Sequence, residues 1–242
     1  EPIAISVEGT SLKKFSGKKF VNMRTHELDE KISNLHINQT AIVTATDNSF
    51  WIKLLNISDL SFNSMLFSFL MPITFLGSST DSQIIFAASE DGSIKGFDLK
   101  KKDLLLFDQQ MKSKIIDICA NDYLMVSLSV DGKTNLWDIE SRSVLCSIQR
   151  IAVPSPHNIQ SASIFCKSPE NVNILLPGLG NIECFGVEDG ETLVENAKYD
   201  TSKSSCSFIG LFSVISNKLL IGINNENIMY FWDLKSTKLL NQ

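Results

Sequence analysis

Short apolar runs that stop at acidic or asparagine-rich turns dominate the pattern along this chain. Ile84–Ser89, Leu124–Ser129 and Leu219–Ile223 have the length and composition of β-strands. The runs that follow after a few polar residues are Leu104–Phe107, Val144–Ile148 and Thr192–Val194, and the third runs are Ile115–Cys119, Ser161–Cys166 and Ser207–Phe212. The pattern predicts units of four short strands, with no helix-length periodic stretch.

The units repeat along the chain. Two copies are well kept, Glu90–Lys100 (EDGSIKGFDLK) and Val130–Glu140 (VDGKTNLWDIE), and they lie forty residues apart. The full set of units ends near Phe15, Leu55, Phe97, Trp137, Phe185 and Trp232, at steps of 40 to 48 residues. A period of this size is typical of propeller blades, whereas a sandwich or closed barrel requires no fixed repeat.

Aromatic–aspartate pairs close the best-kept units, at Phe97-Asp98, Trp137-Asp138 and Trp232-Asp233. Acidic–glycine turns precede two of these pairs, at Asp91-Gly92 and Asp131-Gly132. These pairs and turns resemble the signature of the WD-repeat family, whose units end in Trp-Asp. The resemblance implies an all-β propeller of four-stranded antiparallel blades. It further implies about five complete blades and a partial terminal blade in this chain, as part of a six- or seven-bladed ring.

The match to the family is incomplete, which indicates a divergent member. In the family's fullest form the turn aspartate joins a hydrogen-bonded set with a histidine, a second-strand hydroxyl and the tryptophan. Here Asp131, Trp137 and either Ser127 or Ser129 supply three of the four, and no Gly-His dipeptide occurs anywhere. We expect the Trp137 indole N–H to donate to a second-strand hydroxyl, with Asp131 holding the turn.

The repeat accounts for nearly all of residues 1–242, so the sequence predicts a single domain. Counting between anchors gives five units, with two strands at the front, the first at Ile3–Val7, and one at the back. Three explanations stay open: a longer propeller of which this chain is a part, an open propeller completed by a partner's strand, or a different pairing of the N-terminal residues.

Composition limits the partners. The formal net charge of -5 and the pI near 5.3 argue against a dedicated nucleic-acid surface. Lys13, Lys14, Lys18 and Lys19 form one local basic cluster and Lys100–Lys102 another. Solvated turns are the plainer interpretation, and contact with RNA or an acidic partner is the alternative. Neither cluster is interleaved with the aromatic residues of a single-strand binder.

Five cysteines, an odd number without a C-x-x-C pair, lie in or beside apolar runs. Free buried thiols predict a reducing compartment, and therefore an intracellular protein of the cytoplasm or nucleus. The apolar segment Leu60–Leu76 is interrupted by Asn63, hydroxyl residues and Pro72, so no membrane insertion is expected. Its phenylalanines and methionines are expected mainly in the core, with an exposed docking surface as the alternative.

Catalytic motifs are missing from the sequence. The histidines His26, His36 and His157 have no close metal-ligand spacing, and no G-x-S-x-G occurs. The G-x-G at Gly178–Gly180 lies between strands, whereas a phosphate loop opens a helix. Aspartates that recur with the period are expected to hold turns. The sequence therefore predicts no catalytic residue, no metal and no cofactor.

The predicted function is that of a non-catalytic scaffold, a WD-repeat subunit that holds protein partners in a larger assembly. This expectation rests on the family resemblance, because fold alone does not fix function. Two alternatives remain. One is a peptide- or substrate-recognition module of a multidomain regulator, such as a ubiquitin-ligase receptor or a kinase-associated subunit. The other is an RNA-associated scaffold of a ribosome-assembly particle, which would use the lysine clusters.

Overall fold

The computed structural model describes residues 3–16, 21–38, 41–107, 111–150, 163–168, 171–178, 180–188, 192–201, 208–214, 219–224 and 226–241. Within these ranges the chain forms 23 β-strands and no helix. It divides into two compact units, Glu1–Leu106 and Phe107–Gln242. The assignment of residues 1–242 to one domain stays a prediction.

The first unit holds three sheets whose strands lie side by side in chain order. The first sheet consists of β1 (Ile3–Glu8), β2 (Ser11–Ser16) and β3 (Val21–Glu27). The second consists of β4 (Ile32–Ile37), β5 (Ala41–Thr46), β6 (Trp51–Asn56) and β7 (Phe62–Ser68). The third consists of β8 (Ile73–Ser78), β9 (Ile84–Ser89), β10 (Ile94–Asp98) and β11 (Asp103–Phe107), which ends at the boundary between the units.

The second unit holds three further four-stranded sheets in the same order. The fourth sheet consists of β12 (Ile115–Ala120), β13 (Leu124–Ser129), β14 (Lys133–Asp138) and β15 (Val144–Gln149). The fifth consists of β16 (Ser163–Ser168), β17 (Asn171–Pro177), β18 (Asn181–Glu188) and β19 (Thr192–Asp200). The sixth consists of β20 (Phe208–Val214), β21 (Leu219–Asn224), β22 (Met229–Asp233) and β23 (Leu239–Asn241).

The second strands of the second, third and fourth sheets are buried at every residue: β5, β9 and β13. Successive side chains of a strand point to opposite faces, so such a strand must be covered on both. In the first unit Ile42 and Leu55 pack with Leu12 of the first sheet on one face. Val43 packs with Ile85 of the third sheet on the other face. Each sheet in this unit is therefore stabilised by its neighbours, as in repeat proteins.

The architecture confirms the predicted fold class, with five four-stranded antiparallel sheets and one three-stranded sheet in the described part of the chain. Leu60–Leu76 contributes the fourth strand of the second sheet and the first strand of the third. The sequence repeats and the sheets do not end at the same strand. The first repeat ends near Phe15 in β2, whereas the first sheet also includes the next strand, β3, which pairs with β2. The same offset holds between Leu55 and β7.

Candidate protein-interaction surface

Asp91 and Asp131 occupy equivalent turns between the second and third strands of their sheets. The Asp91 carboxylate accepts hydrogen bonds from the Ser89 hydroxyl and from the Ser93 N–H at 2.9 Å. The Asp131 carboxylate likewise accepts from the Ser129 hydroxyl. These bonds satisfy turn groups that the strands leave unpaired, so both carboxylates have a structural role.

The residue after each turn aspartate adopts the left-handed conformation. Gly92 and Gly132 have φ angles of 84° and 85°, which glycine reaches without the strain that a Cβ causes. The sixth sheet uses Asn227 at the corresponding position, with φ 61°. Asparagine tolerates this conformation better than most residues. The sixth sheet thus keeps the turn geometry although its sequence has no Asp-Gly at this turn.

The aspartates of the aromatic–aspartate pairs close the next turn, between the third and fourth strands. Asp98, Asp138 and Asp233 each accept backbone N–H groups two or three residues later, at 2.6–3.1 Å. The residue four positions after each aspartate again has positive φ: Lys102 at 56°, Arg142 at 61° and Thr237 at 57°. Sequence reasoning missed these strained positions because the residue types there give no glycine or asparagine signal.

The two signature tryptophans are buried but differ in their partners. Trp137 donates from Nε1 to the Ser127 hydroxyl at 2.8 Å, which confirms the predicted bond to a second-strand hydroxyl. Trp232 instead donates to the backbone oxygen of Asp200 at 3.1 Å, outside its own sheet. It stacks on Tyr230, with ring centroids 5.6 Å apart. Buried indole N–H groups need a partner, and each finds one.

The histidines and the G-x-G are the candidate segments for a metal or phosphate site. Over the described ranges, no group of three His, Cys, Asp or Glu side chains could hold a metal, and His157 lies outside those ranges. At the G-x-G, the Gly178 N–H donates to the Asn181 oxygen at 2.9 Å, which makes it a turn between β17 and β18. Leu179, its middle residue, lies outside the described part.

Burial makes two cysteines poor nucleophiles. Cys146 and Cys184 are free thiols in the second unit. Burial raises the pKa of each to about 11, so the reactive thiolate is scarce at neutral pH. Cys119 is half-buried, and the side chains of Cys166 and Cys206 lie outside what the structure describes. These thiols act as small apolar side chains.

Lys13 and Lys14 of the first lysine cluster make polar contacts within the protein. Lys13 pairs with Glu8 at 2.5 Å. Lys14 donates from Nζ to the backbone oxygens of Ile57 and Ser58 at 2.7 and 2.8 Å. Lys18 and Lys19 lie outside the described residues. The geometry of Lys13 and Lys14 therefore supports contacts within the first unit, and their proposed contact with RNA remains a prediction.

The edge strand β7 divides the apolar segment between core and surface. Phe67 is 5% exposed and packs in the core cluster shared by the second and third sheets. Phe62 and Met65 are each 51% exposed. The expectation that the segment mainly fills the core is therefore wrong for these two residues, whose strand has a free edge. β11, another edge strand, exposes Leu104 and Leu106.

A cavity of about 350 Å³ opens beside Phe62 and Met65, between the second sheet and the end of the first. We call it the side groove and define it by His26, Glu27, Asp29, Lys53, Phe62 and Met65. Lys53 is 7% exposed, an unusual burial for lysine. The sequence signal for this residue is a lysine inside the otherwise apolar run 51–55, away from the repeated pairs and turns.

No helix in the described residues is long and apolar enough to cross a membrane. No family model matches the chain. The chain is 29% identical over 135 residues to "WD40 repeat-containing protein smu1" of Dictyostelium discoideum, in a match that covers 54% of this chain and 24% of that protein. The matched region thus spans about a quarter of that relative's length.

Two solved structures share the fold. A structure of the Mitotic Checkpoint Complex contains a chain that matches 93% of this one over 68% of its own length, with a TM-score of 0.72 and 8% identity. A crystal structure of the computationally designed Ika8 protein matches the whole chain over 83% of its own, with a TM-score of 0.64 and 17% identity. At these identities the matches concern the fold.

Proposed function

We propose that the chain is a divergent member of the WD-repeat family and acts as a non-catalytic interaction scaffold, a subunit that holds protein partners in a larger assembly. Exposed apolar side chains on edge strands carry the proposal. Phe62 and Met65 on β7, and Leu104 and Leu106 on β11, are all more than a third exposed. Each strand thus presents a pair of exposed apolar side chains, and exposed apolar patches favour association with another protein.

The use of the signature side chains supports the same proposal. Asp91 and Asp131 hold turns, and the Trp137 indole is bonded inside its sheet. Groups engaged in this way are not free to act on a substrate. One structure with a similar fold is that of a complex, the Mitotic Checkpoint Complex, which fits a binding role without fixing the partners of this chain.

The proposed location is the cytoplasm or nucleus. It is supported by Cys146 and Cys184, which are free thiols. Reducing compartments preserve such thiols, whereas secreted proteins of this size often carry disulfides. Fractionation of cells followed by detection of the endogenous protein tests this part of the proposal, and recovery in the secreted fraction would overturn it.

Affinity purification of the full-length protein, tagged at its own genomic locus, tests the scaffold proposal. We expect one or more proteins to be recovered in near-stoichiometric amounts and to survive washing at moderate salt. A matched variant with Phe62, Met65, Leu104 and Leu106 all changed to serine should retain its fold and lose at least one of them. Recovery of the wild-type protein alone, under several extraction conditions, would contradict the proposal.

A further inference from the structure

The side groove contains a buried cation with no ionic partner. Lys53 is 7% exposed, and within the described residues it makes no hydrogen bond and no ion pair. Several side-chain polar atoms of the described residues are fully enclosed and unpaired, and the Lys53 ammonium is not one of them. The ammonium is therefore in contact with solvent. The aliphatic stem is thus buried while the charged tip reaches the groove that the residue lines.

Strand register places this charge beside the exposed apolar side chains. Lys53 lies opposite Met65, and Leu55 lies opposite Phe62. Since Lys53 and Leu55 are two positions apart on β6, both pairs lie on the same face of the second sheet. Met65 and Phe62 therefore form an apolar wall next to the lysine, at the mouth of the same groove.

The carboxylate of Glu30, which interacts electrostatically with Lys53, is already hydrogen-bonded. Glu30 accepts hydrogen bonds from the Ser49 hydroxyl at 2.6 Å and from the Ser49 N–H at 3.3 Å. Hydrogen bonds from Ser49 and Thr46, with a smaller contribution from the charge of Lys53, lower the pKa of Glu30. Lys53 thus feels Glu30 at a distance without forming an ion pair, and its tip keeps the capacity to bind an anion.

The other charges of the groove lie at its rim. Glu27 and Asp29 are exposed, and Glu27 accepts a hydrogen bond from the Thr10 hydroxyl at 3.2 Å. His26 completes that side. The exposed rim carboxylates are strongly screened by water, whereas the Lys53 ammonium is held in the groove by its buried stem. Lys53 therefore dominates recognition of a charged group on the partner, and the rim carboxylates Glu27 and Asp29 disfavour a highly acidic segment.

From this arrangement we infer that the side groove binds a short segment of a protein partner, in which an apolar side chain packs on Phe62 and Met65 and one neighbouring aspartate or glutamate pairs with Lys53. The inference rests on the proposed scaffold function and names the chemistry of its partner. A charge-assisted bond to Lys53 gives specificity, and the apolar contact supplies affinity.

Side-chain insertion fits this edge better than strand addition. The pairing of β6 with β7 shifts register twice, between Ile52 and Lys53 and between Leu54 and Leu55. Such bulges interrupt the regular row of backbone groups that an added strand needs, and they redirect side chains at sheet edges. The partner segment is thus recognised through its side chains.

Selection of random 12-residue peptides displayed on phage, with the wild-type full chain as bait, tests the inference. We expect the enriched peptides to share an apolar residue within a few positions of an aspartate or glutamate. The most enriched peptide, synthesised with fluorescein, should bind at least tenfold more weakly by anisotropy to Lys53→Met and to Phe62→Ser. Lys53→Arg should retain most of the binding, because it keeps the charge.

Leu106→Ser provides the matched control, since Leu106 is also an exposed apolar residue of an edge strand but does not line the groove. It should bind the peptide as the wild type does, and all four variants should melt cooperatively. No enrichment, enrichment of basic peptides, or equal binding by Lys53→Met would overturn the inference. The scaffold proposal fails separately, if affinity purification recovers no stoichiometric partner. Partners that remain bound to Lys53→Met would refute only the inference that the side groove binds them.

Discussion

The Trp137 indole nitrogen donates a 2.8 Å hydrogen bond to the Ser127 hydroxyl, and both residues are buried at 1% exposure or less. The bond joins the third strand of the fourth sheet to its second, ten residues earlier in the chain. Its importance lies in burial, because a polar group that loses its partner in the interior cannot turn to water. The large indole also fills volume that no neighbour can easily replace.

Replacing either partner should destabilise the protein by different amounts. Trp137→Ala should lower the free energy of unfolding by about 3–5 kcal/mol, since a large buried ring is lost. Ser127→Ala should cost about 1–3 kcal/mol, because the indole N–H is left unpaired. Urea denaturation of each variant measures the effect, with the exposed Ser141→Ala as control. A cost below about 1 kcal/mol for Trp137→Ala would be incompatible with the assigned packing.

Arg150 ties the fourth sheet to the fifth through a half-enclosed charge pair. It donates to Glu183 at 2.6 Å and to the Pro177 oxygen at 2.9 Å, and its guanidinium lies 5.8 Å from the Phe185 ring centre. Arg150→Met should cost about 1.5–3 kcal/mol, because it removes bonds to a charged group and leaves Glu183 unpaired.

A double-mutant cycle separates the pair from the side-chain packing. Glu183→Gln in the Arg150→Met background should cost less than it does in the wild type, because no cation remains to pair with it. The cycle is completed by the single Glu183→Gln variant, with unfolding followed by tryptophan fluorescence. Strictly additive losses would show that the two side chains do not stabilise each other.

Thr237 offers a stabilising substitution. Its φ of 57° lies in the left-handed region, which a β-branched side chain adopts only with strain. Thr237→Gly should raise the free energy of unfolding by roughly 1 kcal/mol, since glycine removes the clash of Cβ with the backbone. Thr192→Gly is the control in an ordinary strand of the same unit, and it should destabilise. A loss of stability for Thr237→Gly would contradict the strained turn.

His36 should make stability depend on pH. Burial lowers the pKa of His36 below its ordinary value of 6.5, and its Nε2 lies 2.9 Å from the Ser78 hydroxyl. The folded state therefore favours the neutral ring, while the unfolded chain takes up a proton near pH 6.5. The stability that this group contributes is full above pH 6.5 and is lost as pH falls toward the folded-state pKa.

Urea midpoints at pH 7.5, 6.5 and 5.5 check this dependence. The wild type should lose stability across this range, and His36→Gln should lose less, since glutamine does not titrate. Carboxylates contribute little above pH 5, so the histidine dominates the comparison. Equal slopes for the two proteins would show that His36 does not control the change.

The repeated features of the fold could be predicted from the sequence, and the features that depend on individual neighbours could not. The period, the strand runs and the bond of Trp137 follow from the pattern because each unit buries similar positions in similar ways. Trp232 carries the same signature but bonds to Asp200 in another sheet, which no local pattern reveals. Positive φ at Thr237 is likewise imposed by the turn that Asp233 closes.

The interaction surface illustrates the same limit. Phe62 and Phe67 lie on one strand, yet one is half exposed and the other is in the core, because their partners Leu55 and Ile52 lie on opposite faces of the sheet and Phe67 faces the cluster shared with the third sheet. Lys53 stands out in an apolar strand, but its role depends on Glu30 being engaged by Ser49. Such relationships become visible only when the sheets are packed together, so the sequence alone does not predict them.

The measurement that tests the scaffold account most directly is the native size of the endogenous protein. Gentle lysates separated by density-gradient sedimentation, beside the purified recombinant full-length protein, give the comparison. We predict that the endogenous protein sediments well ahead of the free protein, and that a variant with Phe62, Met65, Leu104 and Leu106 changed to serine sediments closer to the free position. Sedimentation of both as the same isolated species, without accompanying proteins, would contradict the account.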